Sequence, residues 1–190
     1  MIFEKPSTRT KASLTVAIRE LGGFAYSFTK NELQLGRGEP VSDTARVLSR
    51  YFDMIIARVY RHEDLEVMAR YSRVPVVNAL SDKFHPLQAL TDVQTILEKK
   101  GRLRGLKIAF VGDGTDNVLN SLMIVSAKLG LHLSIACPKQ YAPDPTLLKL
   151  LSEDIEKSGA CIEVTEEPEE AVELADVIYT DVFVSMGQEA

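Results

Sequence analysis

A group of residue types suited to anion binding stands near the amino terminus, in the segment FEKPSTRT. The segment joins the end of an apolar strand to a predicted helix that runs from Thr8 to Leu21. The amino end of a helix offers a ligand unpaired backbone N–H groups and the positive end of the helix dipole. Hydroxyl and guanidinium donors are added there by Ser7, Thr8, Arg9 and Thr10. These donors predict a phosphate pocket, and the alternative is an ordinary helix cap beside a solvated arginine.

Two further positions carry polar groups at the ends of predicted elements. Arg58 stands at the carboxyl end of an apolar strand, where ligands gather in open α/β sheets, although it could also be a surface arginine. In the segment FHPLQ, His85 precedes a proline suited to a first helical turn, and Gln88 lies about one turn further on. Since a lone histidine is more often a packing or surface residue, this motif gains weight only beside the other two.

Two segments near parallel strand ends complete the set. VGDGTDNV resembles a dinucleotide turn superficially, but Asn117 stands where the third glycine belongs and no acidic residue ends the next strand, which argues against NAD. Asp181 follows a predicted strand and precedes a loop of small and polar residues. Its carboxylate could hold a cationic amine, and the alternative role is a helix cap.

The composition is that of a globular protein without a nucleic-acid or membrane footprint. The 190 residues include 22 basic and 27 acidic side chains, are 45% hydrophobic, and contain no long run of like charge. Cys137 and Cys161 lack metal-ligand spacing, so we expect buried free thiols. With no apolar run of membrane-spanning length and no signal-peptide layout, we expect a cytoplasmic protein.

Apolar runs of strand length alternate with segments of helical period, which predicts an α/β fold with parallel sheets. The predicted helices are Thr8 to Leu21, Ser42 to Phe52, Glu63 to Tyr71, Pro86 to Lys100, Val118 to Leu129, Asp144 to Ser158 and Pro168 to Leu174. The predicted strands are Gly23 to Phe28, Met54 to Val59, Val74 to Asn78, Lys107 to Val111, His132 to Ala136, Cys161 to Val164 and Val177 to Asp181. The charged stretch EKKGRLRG predicts a domain boundary near Gly101.

Taken in order, FEKPSTRT, ARVY, HPLQ, GDGTDNV and DVFVSMGQE resemble segments of the ornithine carbamoyltransferase family, and the resemblance covers essentially the whole chain. It implies two parallel-sheet α/β domains with a cleft between them. Residues 1–100 would bind carbamoyl phosphate and residues 101–190 would bind ornithine. Both domains are expected to be incomplete, because the chain opens on a strand tail and stops soon after a strand exit.

The resemblance also implies roles for individual residues. The phosphate would be bound by Ser7, Thr8, Arg9 and Thr10, and the carbamoyl end by Arg58, His85 and Gln88. Ornithine would be contacted by Asn117, Asp181, Ser185 and Met186. Gln34 in QLGRGE matches a position that reaches the neighbouring subunit's site, because the family assembles as trimers. Arg9, Arg58 and His85 would be catalytic, and no metal or organic cofactor is implied.

The implied reaction is attack by the neutral side-chain amine of ornithine on carbamoyl phosphate, giving citrulline and phosphate. Alternatives are transfer to putrescine or another amine, or a truncated, inactive phosphate-binding fragment. Because the family continues into a histidine-cysteine-leucine-proline segment, we expect the 190-residue chain alone to form no citrulline. The turn Thr115-Asp116-Asn117 holds one residue more than the family's usual pair of asparagines, which weakens the assignment of Asn117.

Overall fold

The computed structural model describes residues 1–181, and the chain divides into two compact units between Asp82 and Lys83. The strands of the first unit are β1 (Ile2–Phe3), β2 (Phe28–Thr29), β3 (Ile55–Arg58) and β4 (Val76–Leu80). Its helices are α1 (Thr8–Glu20), α2 (Val41–Leu48) and α3 (His62–Tyr71), with short 3-10 helices at Lys30–Glu32 and Gln34–Arg37.

The second unit repeats the same alternation of strand and helix. Its strands are β5 (Lys107–Val111), β6 (His132–Ala136), β7 (Cys161–Thr165) and β8 (Val177–Tyr179). Its helices are α4 (Pro86–Lys100), α5 (Asn117–Leu129), α6 (Pro145–Leu150), α7 (Ser152–Ser158) and α8 (Pro168–Val172), with a 3-10 helix at Lys139–Tyr141. The prediction of two parallel-sheet α/β domains is confirmed.

The first sheet has the parallel strand order β2-β1-β3-β4, and Phe3 in β1 pairs with Arg58 in β3. The chain adds β2 on one side of β1 and then β3 on the other, so the direction of strand addition reverses between β1 and β3. At such a reversal the connections leave on opposite faces and open a crevice at the carboxyl ends of the strands. The segments after Phe3 and Arg58 therefore border one crevice.

The second sheet has the parallel order β7-β6-β5-β8, so its reversal lies between β5 and β8. Ile108, Ala109 and Phe110 of β5 are fully buried, which explains why this strand is a continuous apolar run. Leu119 and Leu122 of α5 are also fully buried and pack into the same cluster. This packing holds the start of α5 at the carboxyl end of β5.

Several predicted elements have different bounds in the structure. The predicted strand Gly23 to Phe28 is wrong except at its end, because Gly22 is left-handed and the N–H of Gly23 donates back to the Ile18 carbonyl at 2.8 Å. The predicted helix Ser42 to Phe52 begins at Val41 and ends at Leu48. The predicted helix Asp144 to Ser158 is divided at Leu151 into α6 and α7.

Three elements have the same bounds in the structure as in the sequence prediction. The predicted helix Pro86 to Lys100 and the strands Lys107 to Val111 and His132 to Ala136 have the predicted bounds. In packing, α4 belongs to the second unit and lies against α5. The division into binding domains near Gly101 stays a prediction.

The two cysteines differ in exposure. Cys137 is a buried free thiol, as predicted, whereas Cys161 is free but only partly buried because it lies in the edge strand β7. Among residues 1–181, no helix combines the length and apolar character needed to cross a bilayer.

Substitution of Leu122 tests the proposed centre of the second unit's core. Because Leu122 is fully buried, we expect Leu122→Ala to lower the free energy of unfolding by about 2–5 kcal/mol. Leu150→Ala is the control, since that side chain is 73% exposed and its loss should change stability by less than about 0.5 kcal/mol. Denaturant unfolding of both variants measures the difference, and equal losses would contradict this assignment of the core.

Candidate functional site

The turn between β1 and α1 presents backbone N–H groups at the crevice of the first sheet. Ser7 is the N-cap of α1, with an extended backbone, and its Oγ accepts a hydrogen bond from the Thr10 N–H at 3.3 Å. No acidic residue occupies the first turn of α1, so the positive end of the helix dipole favours an anionic ligand there. Ser7 and Thr10 are half-buried, whereas Thr8 and Arg9 are exposed. The hydroxyl and guanidinium donors are thus at or near the surface, within reach of a ligand.

Arg58 ends β3 beside this turn. Its carbonyl accepts the Glu4 N–H at 2.9 Å, and a bulge in β4 makes Arg58 pair with Leu80 directly after Ala57 pairs with Asn78. The Arg58 Nε is buried and has no hydrogen-bond partner among the described residues. Burial lowers the pKa of the guanidinium, yet an arginine keeps its proton in proteins. A buried cationic donor without a partner favours an anionic ligand.

Glu4 holds the crevice together, although it was not among the predicted site residues. Its carboxylate accepts the Tyr60 N–H at 3.0 Å and pairs with the Lys30 ammonium at 2.8 Å, while the carboxylate side chain is only 8% exposed. The segments that follow β1, β2 and β3 are therefore joined through one side chain. The available signal was a carboxylate directly after an apolar strand, where a charge needs a partner.

A hollow of about 800 Å³, a volume typical of small-molecule sites, opens beside this turn. Ser7 and Thr8 line the hollow together with Lys11 and Lys30. Arg9 and Arg58 do not line it. The structure thus places the four residues of the STRT segment on one turn, and it places Arg58 on the neighbouring strand outside this hollow.

His85 occupies the N-cap of α4, directly before Pro86. Its backbone N–H donates to Ser121 Oγ at 2.8 Å and to the Asn117 carbonyl at 3.2 Å. Both acceptors belong to the first turns of α5. The structure therefore brings His85 and Asn117 together, although they are distant in sequence and were assigned to different substrates.

Gln88 lies one turn further along α4, and its side-chain amide has a partner that was not predicted. Its Nε2 donates to Asp92 Oδ1 at 2.8 Å, and the Tyr179 hydroxyl donates to Asp92 Oδ2 at 2.9 Å. The sequence signal was the four-residue spacing of Gln88 and Asp92, which places both on one helix face. The contribution of Tyr179 required the tertiary structure.

The GDGTDNV turn leads from β5 into α5. Asp113 Oδ1 accepts the Thr115 N–H and hydroxyl at 2.8 and 2.7 Å, and Asp116 caps α5 by accepting the Val118 and Leu119 N–H groups at 2.7 and 3.1 Å. The helix begins at Asn117 rather than at the predicted Val118. Asp116 in this turn therefore provides a capping carboxylate directly before Asn117.

Gly114 in this turn is required by close packing. A Cβ there would lie 2.2 Å from the Tyr141 carbonyl oxygen and 2.9 Å from Cys137 Sγ. This glycine therefore permits contact with the loop that follows β6. Packing therefore explains Gly114, the second glycine of the GDG segment, without a bound dinucleotide.

Carboxylates are concentrated at the carboxyl edge of the second sheet. Burial is the main reason that the pKa of Asp116 rises to about 6 and the pKa of Asp92 rises, and the charge of Asp181 adds to both shifts. Asp181 therefore lies close enough to Asp116 and Asp92 to repel them. Such an edge favours a cationic ligand. Across residues 1–181, no three His, Cys, Asp or Glu side chains are arranged to hold a metal ion.

The remaining predicted residues fall elsewhere. Gln34 is exposed and begins the 3-10 helix Gln34–Arg37 in the first unit. Ser185 and Met186 lie outside the described residues.

Comparison with known proteins places both units in one family. The family model "Aspartate/ornithine carbamoyltransferase, carbamoyl-P binding domain" matches residues 1–98, and "Aspartate/ornithine carbamoyltransferase, Asp/Orn binding domain" matches residues 104–190. Ornithine carbamoyltransferases from Staphylothermus marinus and Hyperthermus butylicus are 60% and 56% identical over 100% of this chain. The solved structure of ornithine carbamoyltransferase from Pyrococcus furiosus is 54% identical, with a TM-score of 0.94 over 100% of this chain and 60% of that one. The chain spans about 60% of the length of the curated relatives it matches.

The pKa of Asp116 predicts a pH-dependent stability. The folded pKa of about 6 lies above the ordinary value of 3.8, so the folded protein binds this proton more tightly than the unfolded chain does. The resulting stabilisation is fully present below about pH 4 and is lost as pH rises through 6.

We expect Asp116→Asn, which can cap α5 without ionising, to lose less stability than the unmodified protein between pH 4 and 7. Denaturant unfolding at a series of pH values measures both slopes. Parallel slopes would show that Asp116 does not titrate in this range.

Proposed function

The chain belongs to the aspartate/ornithine carbamoyltransferase family, and we propose that its protein transfers the carbamoyl group of carbamoyl phosphate to the side-chain amine of L-ornithine. The products are L-citrulline and phosphate. Relatives named ornithine carbamoyltransferase, 51–60% identical along the chain, support this substrate pair. The structural observation that carries the proposal is the buried Arg58 Nε without a partner in the described part of the chain, next to the strand that leads into the STRT turn.

The phosphate group is the proposed ligand of Ser7, Thr8, Arg9 and Thr10. Ser7 Oγ already accepts the Thr10 N–H, and its hydroxyl hydrogen can still be donated to a phosphate oxygen. The guanidinium of Arg9 would neutralise charge on the leaving phosphate. Together with the open amino end of α1, these donors suit a multiply charged oxyanion.

The carbamoyl group is the proposed ligand of Arg58, His85 and Gln88. Its carbonyl oxygen gains negative charge when an amine attacks, so donors placed at that oxygen lower the barrier. Arg58 and His85, together with the Thr10 hydroxyl, would donate to this oxygen. Gln88 would contact the carbamoyl nitrogen.

Ornithine is the proposed ligand of Asn117 and Asp181, with Ser185 and Met186 as further contacts carried over from the sequence. The carboxylates at the edge of the second sheet attract the cationic side-chain amine, and they repel a dicarboxylate such as aspartate. Attack requires the neutral amine, so binding and loss of an amine proton must both occur before transfer. Asp181 is the proposed partner of that amine.

The assembly and location are also part of the proposal. We infer a trimer in which the exposed Gln34 reaches the site of a neighbouring subunit, in a cytoplasmic enzyme that uses no metal or organic cofactor. The exposure of Gln34 supports its availability for such a contact.

Substitution of the two arginines tests the proposed transfer. In the complete reading frame that encodes this chain, we expect Arg9→Ala or Arg58→Ala to lower the kcat for citrulline formation about 10²- to 10³-fold, because each removes a donor to developing charge. Arg19→Ala, near the other end of α1, is the matched control and should have normal turnover. Near-normal rates in both test variants would contradict the assigned roles.

Competition between amines tests the acceptor. Ornithine should be carbamoylated in preference to putrescine, with no reaction of aspartate. Asp181→Asn should raise the KM for ornithine about 10- to 100-fold by removing a charge-assisted hydrogen bond. Initial rates with each amine measure this, with Asp154→Asn as the control, since that partly exposed carboxylate pairs with Lys128 on the surface of the second unit. A preference for putrescine would instead support the alternative amine carbamoyltransferase.

A further inference from the structure

Three side chains of the second unit form a short hydrogen-bonded chain. Asp92 accepts from the Gln88 Nε2 through one oxygen and from the Tyr179 hydroxyl through the other, at 2.8 and 2.9 Å. Gln88 and Asp92 come from α4, whereas Tyr179 ends β8. These two hydrogen bonds thus join the helix that carries the proposed carbamoyl contacts to the strand that leads to Asp181.

The chemistry of these groups determines which way the Gln88 amide faces. An ionised carboxylate has only acceptors, so each of its two partners must donate. The nitrogen end of the Gln88 amide therefore faces Asp92, and the carbonyl oxygen is turned away from it. Without this carboxylate, a half-turn of the amide would exchange its donor and acceptor ends at little cost.

Asp92 is itself held in one orientation. The Tyr179 hydroxyl binds its second oxygen, and the Tyr179 ring stacks on Phe110 with ring centroids 5.9 Å apart and planes inclined by 23°. Phe110 is fully buried in the core. Asp92 is therefore supported, through Tyr179, by the buried core of the unit. A side chain at the surface would have no such support.

The carbamoyl group needs an acceptor as well as donors. Its carbonyl oxygen accepts hydrogen bonds, but its –NH₂ group donates them, and the proposed partners Arg58 and Thr10 can act as donors to the oxygen. A Gln88 Oε1 turned away from Asp92 supplies an acceptor for the –NH₂. The methyl group of acetyl phosphate has the same size and donates no such bond.

We propose that Asp92 is a positioning residue that orients the Gln88 amide so that Oε1 accepts from the substrate –NH₂, and that Tyr179 holds Asp92 in place. The inference rests on the proposed carbamoyl transfer. It assigns to Asp92 and Tyr179 the selection of a carbamoyl group over an acyl group of equal size. Neither residue touches the reacting atoms in this scheme.

Initial-rate kinetics of Asp92→Ala test the proposal in the complete reading frame that encodes the chain. We expect the KM for carbamoyl phosphate to rise about 5- to 10-fold, as for loss of one well-aligned hydrogen bond. The Ki values of acetyl phosphate and inorganic phosphate should change less than about twofold, because neither ligand has the –NH₂ group. Asp92→Asn, whose amide oxygen can still face Gln88, should recover most of the loss.

A double-substitution cycle with Gln88→Ala separates positioning from a purely structural role. If Asp92 acts through Gln88, Asp92→Ala should add less than about twofold in the Gln88→Ala background. Tyr179→Phe keeps the stacked ring and should give a smaller KM increase that also disappears in that background. This milder change keeps the test valid if Asp92→Ala does not fold.

Several results would overturn the inference. An Asp92→Ala penalty of equal size with and without Gln88, or equal weakening of carbamoyl phosphate and acetyl phosphate, would show that Asp92 does not act through the amide. Absence of citrulline formation by the unmodified protein would instead overturn the proposed function. In that case, thermal-shift measurements with carbamoyl phosphate and inorganic phosphate still test the selectivity, since Asp92→Ala should abolish any preference for the carbamoyl compound.

Discussion

The proposed site depends on the reversal of strand order in each parallel sheet. In the first sheet this reversal lies between β1 and β3, and in the second it lies between β5 and β8. Parallel strands end at the same edge of their sheet. The residues that follow Phe3 and Arg58 therefore border a crevice of the first sheet, and those that follow Val111 and Tyr179 border a crevice of the second. Helices on opposite faces diverge there, which exposes helix amino ends and side chains to a ligand without disturbing the apolar core.

The two units present opposite charge at these edges. The first contains the half-buried Arg58 guanidinium and the amino end of α1, whereas the second contains Asp116, Asp92 and Asp181. Burial makes each of these groups sensitive to a ligand of opposite charge, because little water competes for the interaction. A phosphate and an amine are the ligands that such a distribution suits. The overall charge of −5 indicates neither ligand, so local placement must select them.

Backbone contacts and side-chain contacts place polar groups in complementary ways. The His85 N–H is held by Ser121 and by the carbonyl of Asn117, so the amino ends of α4 and α5 have a defined spacing. Asp92 and Tyr179 then act on a single amide, that of Gln88, within the same unit. Phe110 supports Tyr179 from the core. The apolar core therefore supports the Gln88 amide through two hydrogen bonds, from Tyr179 to Asp92 and from Gln88 to Asp92.

Local sequence was sufficient for the α/β class, for the bounds of Pro86–Lys100, Lys107–Val111 and His132–Ala136, and for the helix start at Thr8, because periodicity and helix capping act over a few residues. It was insufficient for Gly23 to Phe28, where a helix-ending turn outweighed β propensity. Only the tertiary structure decided that Glu4 joins three loops and that Tyr179 reaches Asp92, since these contacts link residues far apart in the chain. Distant partners are selected by packing of the whole unit, and no local pattern records that choice.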